Sequence, residues 1–273
     1  MITTEEQEYL DRVVEEALSQ PTEEVIPNNS ESLLVNETTT RFSSASWYEE
    51  AKKNTIILAG LGGIGSWTAL LLSRLHPSSM HLYDDDKVEA INMAGQLYAA
   101  TDIRSFKCYA ISRKLSSYSD YYEVNVYNCK YDSTSPTSNI MICGFDNMEA
   151  RKVFFNKWER HVELSEDKEK CLFIDGRMSA EYIQIFCITG NDTYNRTRYK
   201  ENFLFSDEEA EEAPCSYKQT SFCASMIGSL ITNLYVNFCA NRCNPLIERG
   251  LPFIYNIRYN TFIIFNIDYI ISH

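Results

Sequence analysis

A glycine run near residue 60 is the part of the sequence whose residue types and spacing point most directly to chemistry. The run GLGGIG, residues 60–65, follows the apolar stretch TIILA and opens a segment with helical periodicity. In that context a turn without side chains lets backbone N–H groups approach a phosphate at a helix N-terminus. The sequence therefore predicts a nucleotide-binding turn built on Gly60, Gly62, Gly63 and Gly65.

Asp84 is the second candidate, because it ends the apolar stretch MHLYD about twenty residues after the glycine run. An acidic residue at this spacing binds a ribose hydroxyl in nicotinamide-dependent enzymes. The glycine run and Asp84 alone therefore leave a NAD-dependent oxidoreductase open. The sequence shows no hydride-transfer site that would support that alternative.

Alternating strand and helix patterns must position these residues. Strand-like stretches occur at TIILA, MHLYD, EVNVY, NIMIC and CLFID, and helical patterns fall between them at residues 65–75, 105–117 and 148–162. This alternation predicts an α/β fold with a Rossmann-like, doubly wound and mostly parallel sheet. Ligands bind at the carboxyl ends of the strands in such sheets.

The pattern changes after residue 176. A strand at YIQIFCIT, a polar stretch, a helix at 219–240 and two β-rich runs, PFIYNIRY and TFIIFNI, follow in turn. The last two runs predict a hairpin, so additional antiparallel strands are expected at the C-terminal end of the sheet.

The residues after Asp84 resemble a known family signature. Asp84-Asp85-Asp86-Lys87-Val88, followed by Asn92 and Gln96, is similar to the D-x-D-x-V-x(3)-N-x(3)-Q signature of the ThiF/MoeB family, which includes ubiquitin-activating enzymes. Lys107 stands where that family keeps a phosphate-contacting lysine. Asp146-Asn147, with Arg151 four residues later, resembles the family's D-N pair.

The resemblance implies an ATP-dependent adenylyltransferase. By analogy Asp84 binds the ATP ribose, Asp146 holds Mg²⁺, and Lys107 stabilises charge on the α-phosphate while a carboxylate attacks it. Asn92 adds a phosphate contact, and Asp86 and Gln96 complete the nucleotide site. In-line attack of one anion on another needs cations and donors on the developing charge, which these residue types supply.

Two departures from the family pattern leave alternatives open. Gly95 stands where the family places an arginine, which puts one phosphate contact in doubt and keeps a non-catalytic, ThiF-like binding scaffold as an alternative. Arg41 is the candidate for the arginine that family members insert into a partner subunit's site, and Arg104 is its rival. Each acidic or basic residue taken alone also fits a solvated surface position.

Cys215 is the candidate for a thioester step. It follows the acidic stretch SDEEAEEAP and precedes a glycine-containing helix, which resembles the thioester cysteine of single-domain activators of ubiquitin-like proteins. A cysteine near a helix N-terminus and beside Lys218 would have a lowered pKa. The family comparison makes residues 190–218 a crossover segment that guides the substrate's tail, whereas their composition alone predicts a surface loop. Cys223 is a weaker rival, and a structural thiol is the other interpretation of Cys215.

Composition and charge limit the partners. The net charge of −13 argues against a nucleic-acid partner, and neither a signal peptide nor a membrane span is predicted, so a cytoplasmic protein is expected. The nine cysteines lack a zinc-like grouping, so no zinc is expected. Residues 1–40 are predicted to form an N-terminal helix (residues 4–19) and a linker or arm, and 41–273 a ThiF-like adenylation domain.

The predicted function is adenylation of the C-terminal carboxylate of a ubiquitin-like protein, a sulfur carrier or a peptide. Homodimerisation is expected by family analogy. The sequence does not name the substrate.

Overall fold

The computed structural model describes residues 38–179, 182–205, 220–243, 248–258 and 263–266. The predicted helix at 4–19, most of the predicted arm, and Cys215 with Lys218 lie outside the described residues.

Six α-helices and eight strands are described. The helices are α1 (Ser46–Lys52), α2 (Gly63–Ser73), α3 (Lys107–Ser119), α4 (Met148–Leu164), α5 (Thr193–Asn202) and α6 (Ser221–Cys243). The strands are β1 (Thr55–Ala59), β2 (Ser79–Tyr83), β3 (Val124–Tyr127), β4 (Ile140–Cys143), β5 (Leu172–Ser179), β6 (Tyr182–Thr189), β7 (Ile254–Arg258) and β8 (Ile263–Asn266). Short 3₁₀ turns occupy Ala90–Ala94, Ala100–Asp102 and Lys168–Lys170.

All eight strands form one sheet in the order β3-β2-β1-β4-β5-β6-β7-β8. The pairs from β3 to β5 are parallel, and β5 to β8 pair antiparallel. The predicted fold class, a mostly parallel doubly wound sheet with C-terminal antiparallel strands, is confirmed. The direction of winding reverses between β1 and β4, and such a switch point opens a crevice at the carboxyl ends of the strands.

Helices cover both faces of the sheet. Along β1, Ile56 and Leu58 belong to the apolar cluster that includes residues of α1, α2, α3 and α6, whereas Ile57 and Ala59 belong to the cluster that includes residues of α4 and α5. Successive strand residues point to opposite faces. A central strand covered on both sides must therefore be apolar throughout, which explains the TIILA sequence.

Helix α5 was not predicted, because residues 190–205 are rich in polar side chains. Asp192 caps it by accepting a hydrogen bond from the Asn195 backbone N–H at 3.0 Å. Tyr199 is fully buried and packs edge-on or tilted against aromatic rings of α4, β5 and β6, namely Phe155, Phe173 and Phe186. One aromatic anchor, which carries no periodic signal in the sequence, thus places this part of the segment against the sheet.

Helix α6 corrects the expectation that no stretch is apolar enough to span a membrane. By length and composition alone Ser221–Cys243 could cross one, but half of its most apolar 18-residue window is buried inside the fold. Gly228 allows close contact with α2, since a Cβ at that position would lie 3.1 Å from the Thr68 backbone nitrogen. Packing within the domain therefore accounts for the buried half of this apolar window.

Candidate functional site

The glycine turn joins β1 to α2 and is held by its neighbours on both sides. Gly60 adopts a φ of +81° and donates its N–H to the Tyr83 carbonyl at 2.9 Å. A Cβ on Gly60 would lie 2.9 Å from the Gly144 carbonyl, and one on Gly65 would lie 1.8 Å from the Gly60 oxygen. These two glycines are required by close backbone approach, and the buried Tyr98 hydroxyl, which the sequence analysis did not single out, fixes the turn further by donating to the Leu61 carbonyl at 2.7 Å.

The loops after β2, β1 and β4 lie side by side. Ala59 is paired with Tyr83 on one side and Cys143 on the other, so Gly60, Asp84 and Gly144 follow at the same level of three adjacent parallel strands. The glycine turn is therefore placed between the loop that begins at Asp84 and the loop that carries Asp146. The loops that carry the two predicted carboxylates, Asp84 and Asp146, thus flank the glycine turn.

Asp84 is fixed against the glycine turn. Its Oδ2 accepts the Leu61 N–H at 2.7 Å, and its Oδ1 accepts the Asp86 N–H at 2.9 Å. Burial raises the pKa of Asp84, while the charge of Lys107 and these two N–H donors act to lower it. Because a carboxylate oxygen has two lone pairs, each oxygen retains capacity to accept a hydroxyl group of a ribose.

Lys107 is positioned by a short antiparallel pairing between the loop after β2 and the start of α3. Its backbone N–H donates to the Asp86 carbonyl at 2.9 Å, and the Val88 N–H donates to the Ser105 carbonyl at 2.8 Å. The Lys107 ammonium lies 2.7 Å from Asp86 Oδ2, with 8% of the lysine side chain exposed and 65% of the aspartate. A mostly buried cation thus reaches the loop that begins at Asp84.

Asn92 and Gln96 lie in the next loop, in different environments. The Asn92 Oδ1 accepts the Glu89 N–H at 2.8 Å and so closes the first 3₁₀ turn. The Gln96 Oε1 is buried without a hydrogen-bond partner, and its Nε2 lies 3.9 Å from where a Cβ on Gly62 would stand. The carbonyl of Gly95, the departure from the family pattern, accepts the Trp67 indole N–H at 3.1 Å.

Asp146 and Asn147 follow β4 in an exposed turn. Asn147 caps α4 by accepting the Ala150 N–H at 2.8 Å, and its side-chain amide donates to Asp146 Oδ1 at 3.3 Å. The described part of the chain contains no group of three or more His, Cys, Asp or Glu side chains that could hold a metal. Mg²⁺ bound together with a nucleotide takes one or two protein carboxylates and completes its shell with phosphate and water. Asp146 could supply one of those carboxylates.

The described residues fit a nucleotide. Gly60 and Gly62 of the turn are partly exposed, Asp84 retains lone pairs for hydroxyl groups, and Lys107 supplies a cation. The unpartnered Gln96 amide oxygen is a buried polar atom near Gly62 that a bound molecule could satisfy.

Three of the remaining predicted residues, Arg41, Arg104 and Cys223, fall within the described ranges. Arg41 is exposed in the turn ahead of α1, and Arg104 is exposed with a φ of +71°. The partner-site role of either arginine stays a prediction. Cys223 is fully buried on α6, as the packing interpretation expected. Cys215 lies outside the described residues, so its predicted thioester role stays a prediction.

Comparison with known sequences finds a family model that matches most of the chain. A sequence model of the ThiF family matches residues 36–264. Ubiquitin-like modifier-activating enzyme 5 of Drosophila mojavensis is 31% identical over 112 residues, which cover 41% of this chain and 28% of that protein. The enzyme of the same name from Bombyx mori is 37% identical over 70 residues, 26% of this chain and 17% of that protein. The chain thus spans less than a third of the length of these curated relatives.

Solved structures show the same fold. PaaA aligns with a TM-score of 0.64 at 15% identity and covers 97% of this chain and 82% of its own. Escherichia coli MccB, in a crystal structure with ATP, aligns with a TM-score of 0.62 at 15% identity and covers 97% and 78%. E. coli TcdA, a tRNA N6-threonylcarbamoyladenosine dehydratase, aligns with a TM-score of 0.58 at 13% identity and covers 80% and 98%.

Proposed function

The chain belongs to the ThiF family, and on that premise we propose that it uses ATP to adenylate the C-terminal carboxylate of a small protein or peptide. The observation that carries the proposal is the arrangement around Asp84. Its carboxylate is hydrogen-bonded to the glycine turn, and Lys107 lies beside it at the carboxyl edge of the sheet. This arrangement offers ribose acceptors, phosphate-facing backbone and a cation in one place.

In the proposed reaction, a carboxylate oxygen of the substrate attacks the α-phosphorus of ATP. The bond between that phosphorus and the bridging oxygen breaks, pyrophosphate leaves, and an acyl-adenylate forms. Lys107 stabilises the charge that develops on the α-phosphate, and Asp84 orients the ribose. Mg²⁺, held in part by Asp146, would neutralise phosphate charge. A thioester on Cys215 would be a later step, in which the thiolate displaces AMP.

A protein or peptide substrate is favoured over RNA. The similar proteins include modifier-activating enzymes and MccB, which was crystallised with MccA, but also a tRNA dehydratase. A chain with a net charge of −13 is repelled by phosphate backbones, which opposes a tRNA substrate. We include a homodimer and a cytosolic location in the proposal.

Exchange of radioactive pyrophosphate into ATP tests the proposal directly. Candidate carrier proteins and peptides with free C-termini are supplied as substrates, and exchange is expected only when the carboxylate is free. Asp146→Asn should abolish exchange, whereas the matched control Glu149→Gln, which alters an exposed carboxylate in the first turn of α4, should leave it unchanged. Exchange that survives Asp146→Asn would remove the assigned mechanism.

Two rival functions give different results. An oxidoreductase would be stabilised against heat by NAD and not by ATP. A non-catalytic scaffold, favoured by Gly95 in place of the family's arginine, would bind a partner tightly and show no exchange even with folded protein and saturating ATP.

A further inference from the structure

A buried cluster of charges lies under the Asp146 turn. Asp175, at the position of β5 that pairs with Cys143 of β4, is completely buried. Its Oδ1 accepts hydrogen bonds from Arg151 and from the Cys143 thiol, and its Oδ2 accepts from Arg177 and from the Tyr199 hydroxyl. One carboxylate therefore joins β4, β5, α4 and α5.

The Arg151 arm of this cluster reaches the candidate active-site turn. Its Nη1 donates to Asp175 and to the Gly176 carbonyl at 3.1 Å, and its Nη2 donates to the Phe145 carbonyl. Phe145 immediately precedes Asp146. The fork of the guanidinium thus fixes the peptide group that presents the predicted metal-binding carboxylate.

The Arg177 arm reaches a different place. Its Nε donates to Asp175 Oδ2 at 2.7 Å, and its Nη2 donates to the Phe203 carbonyl at 2.8 Å, just past the end of α5. Its guanidinium stacks 4.7 Å from the centre of the Phe186 ring. This arm supports the end of α5 and makes none of the hydrogen bonds to the Asp146 turn.

The charges in the cluster do not balance. Two guanidiniums with 6% and 14% of their side chains exposed share the carboxylate of Asp175. Burial lowers the pKa of Arg151, and the neighbouring Arg177 charge lowers it further. Buried ions are a poor means of gaining stability, since apolar residues of similar volume often stabilise as well or better. Such groups are useful for positioning their hydrogen-bond partners, because a guanidinium offers five donors in a fixed plane.

We infer that Arg151 is a positioning residue that holds the turn bearing Asp146 through the Phe145 carbonyl, and that Asp175 holds Arg151 in the orientation this requires. The role assigned to the turn rests on the proposed function, but the positioning itself is a property of the folded chain. Arg177 belongs to the same cluster and provides an internal comparison.

Hydrogen exchange of two amides reports the position of the turn without any activity. The Gly144 N–H is bonded to the Ala59 carbonyl at 3.0 Å, and the Ala150 N–H to the Asn147 side chain. Arg151→Lys keeps a charge beside Asp175 but loses the fork. Since a hydrogen bond from a charged donor is lost, we expect exchange at both amides to accelerate about tenfold or more.

Two further variants separate positioning from general loss of stability. Arg177→Lys alters the same cluster and should leave both amides within about twofold of the parent after correction for the free energy of unfolding. Arg160→Lys, an exposed arginine on the same helix, is the matched control. In pyrophosphate exchange, Arg151→Lys should raise the Mg²⁺ concentration for half-maximal rate several-fold, and Arg177→Lys should not.

The outcomes are distinct. The inference would be overturned if Arg151→Lys and Arg177→Lys accelerated hydrogen exchange at the two amides equally, or if neither variant accelerated it. If Arg151→Lys does not fold, backbone order parameters of residues 145–147 in the parent decide, with about 0.85 supporting a held turn and values below about 0.6 contradicting it. A parent that shows no pyrophosphate exchange would refute the proposed function, while the amide measurements would still judge the positioning.

Discussion

Replacing Gly62 or Gly65 of the glycine turn by alanine separates nucleotide binding from folding. A methyl group at Gly65 would lie 1.8 Å from the Gly60 carbonyl oxygen. Gly60 cannot move away easily, because its N–H donates to the Tyr83 carbonyl and its Cα lies close to the Gly144 backbone. A methyl group at Gly62 would meet the Gln96 Nε2 at 3.9 Å, which is an ordinary contact. The same chemical change thus meets rigid backbone at one position and open space at the other.

The expected magnitudes follow from these contacts. Overpacking costs about 1–3 kcal/mol or more, and the gain in helix propensity returns about 1 kcal/mol. Because the two nearest atoms at Gly65 are backbone atoms of Gly60, we take the upper end of the overpacking cost, about 3 kcal/mol, and expect a net loss of about 2 kcal/mol. That loss is equivalent to a fall in Tm of roughly 4–8 °C for a domain of this size. Gly62→Ala should stay within about 0.5 kcal/mol of the parent.

Nucleotide binding should show a different order. The Cβ at residue 62 would stand at the N-cap of α2, where backbone N–H groups must approach the phosphates. We expect Gly62→Ala to weaken ATP at least about tenfold, or about 1.4 kcal/mol, although the protein is folded. Calorimetric unfolding and titration calorimetry give both numbers on the same samples.

Two results would refute this reasoning. Gly62→Ala that binds ATP as tightly as the parent would show that phosphate does not approach this turn. Gly65→Ala as stable as Gly62→Ala would show that the backbone contact with Gly60 is not a real constraint.

Three other predictions concern charge, packing and pH. Lys107→Met keeps the buried methylene packing and loses a pair with a mostly exposed partner, so Tm should change little while the pyrophosphate-exchange rate falls about a hundredfold or more; an equal loss of stability and rate would contradict this. Gly228→Val should cost about 2 kcal/mol or more in urea unfolding, since α6 there abuts the backbone of α2, and an unchanged midpoint would contradict the packing. Burial lowers the pKa of His76, His81 and His161, so at mildly acidic pH the unfolded chain takes up protons that the folded chain does not. The free energy of unfolding should therefore fall as pH drops below about 6.5. A free energy of unfolding that rises as pH is lowered from about 7.5 to about 5.5 would contradict this assignment.

The parts of the site that the sequence predicted are those whose determinants are local. Asp84 follows its strand directly, and its backbone neighbours Leu61 and Asp86 are fixed by the glycine turn and the loop after β2. Lys107 begins a helix whose entry is set by a short pairing with that loop. Strand and helix patterns therefore predicted the sheet and the edge at which these groups meet.

The parts that were missed depend on contacts between distant segments. Asp175 and Arg177 interrupt the apolar strand β5 and lie two residues apart, on one face of it. This pair of opposite charges was the available signal in the sequence. Their partners Arg151 and Tyr199 come from separate helices, and α5 has almost no apolar periodicity. A buried ion cluster of this kind is visible only once the tertiary structure brings its members together.

Titration calorimetry with ATP and Mg²⁺ tests the central claim most directly. The claim is that Asp84 and Asp146 flank one nucleotide, so the parent should bind roughly one ATP per chain at low micromolar to millimolar concentration, an ordinary range for such sites. Asp84→Asn should weaken ATP binding with or without Mg²⁺, and Asp146→Asn should weaken ATP binding only when Mg²⁺ is present. Folded parent protein that binds NAD but no ATP, or ATP binding that is unchanged in both variants, would contradict the account.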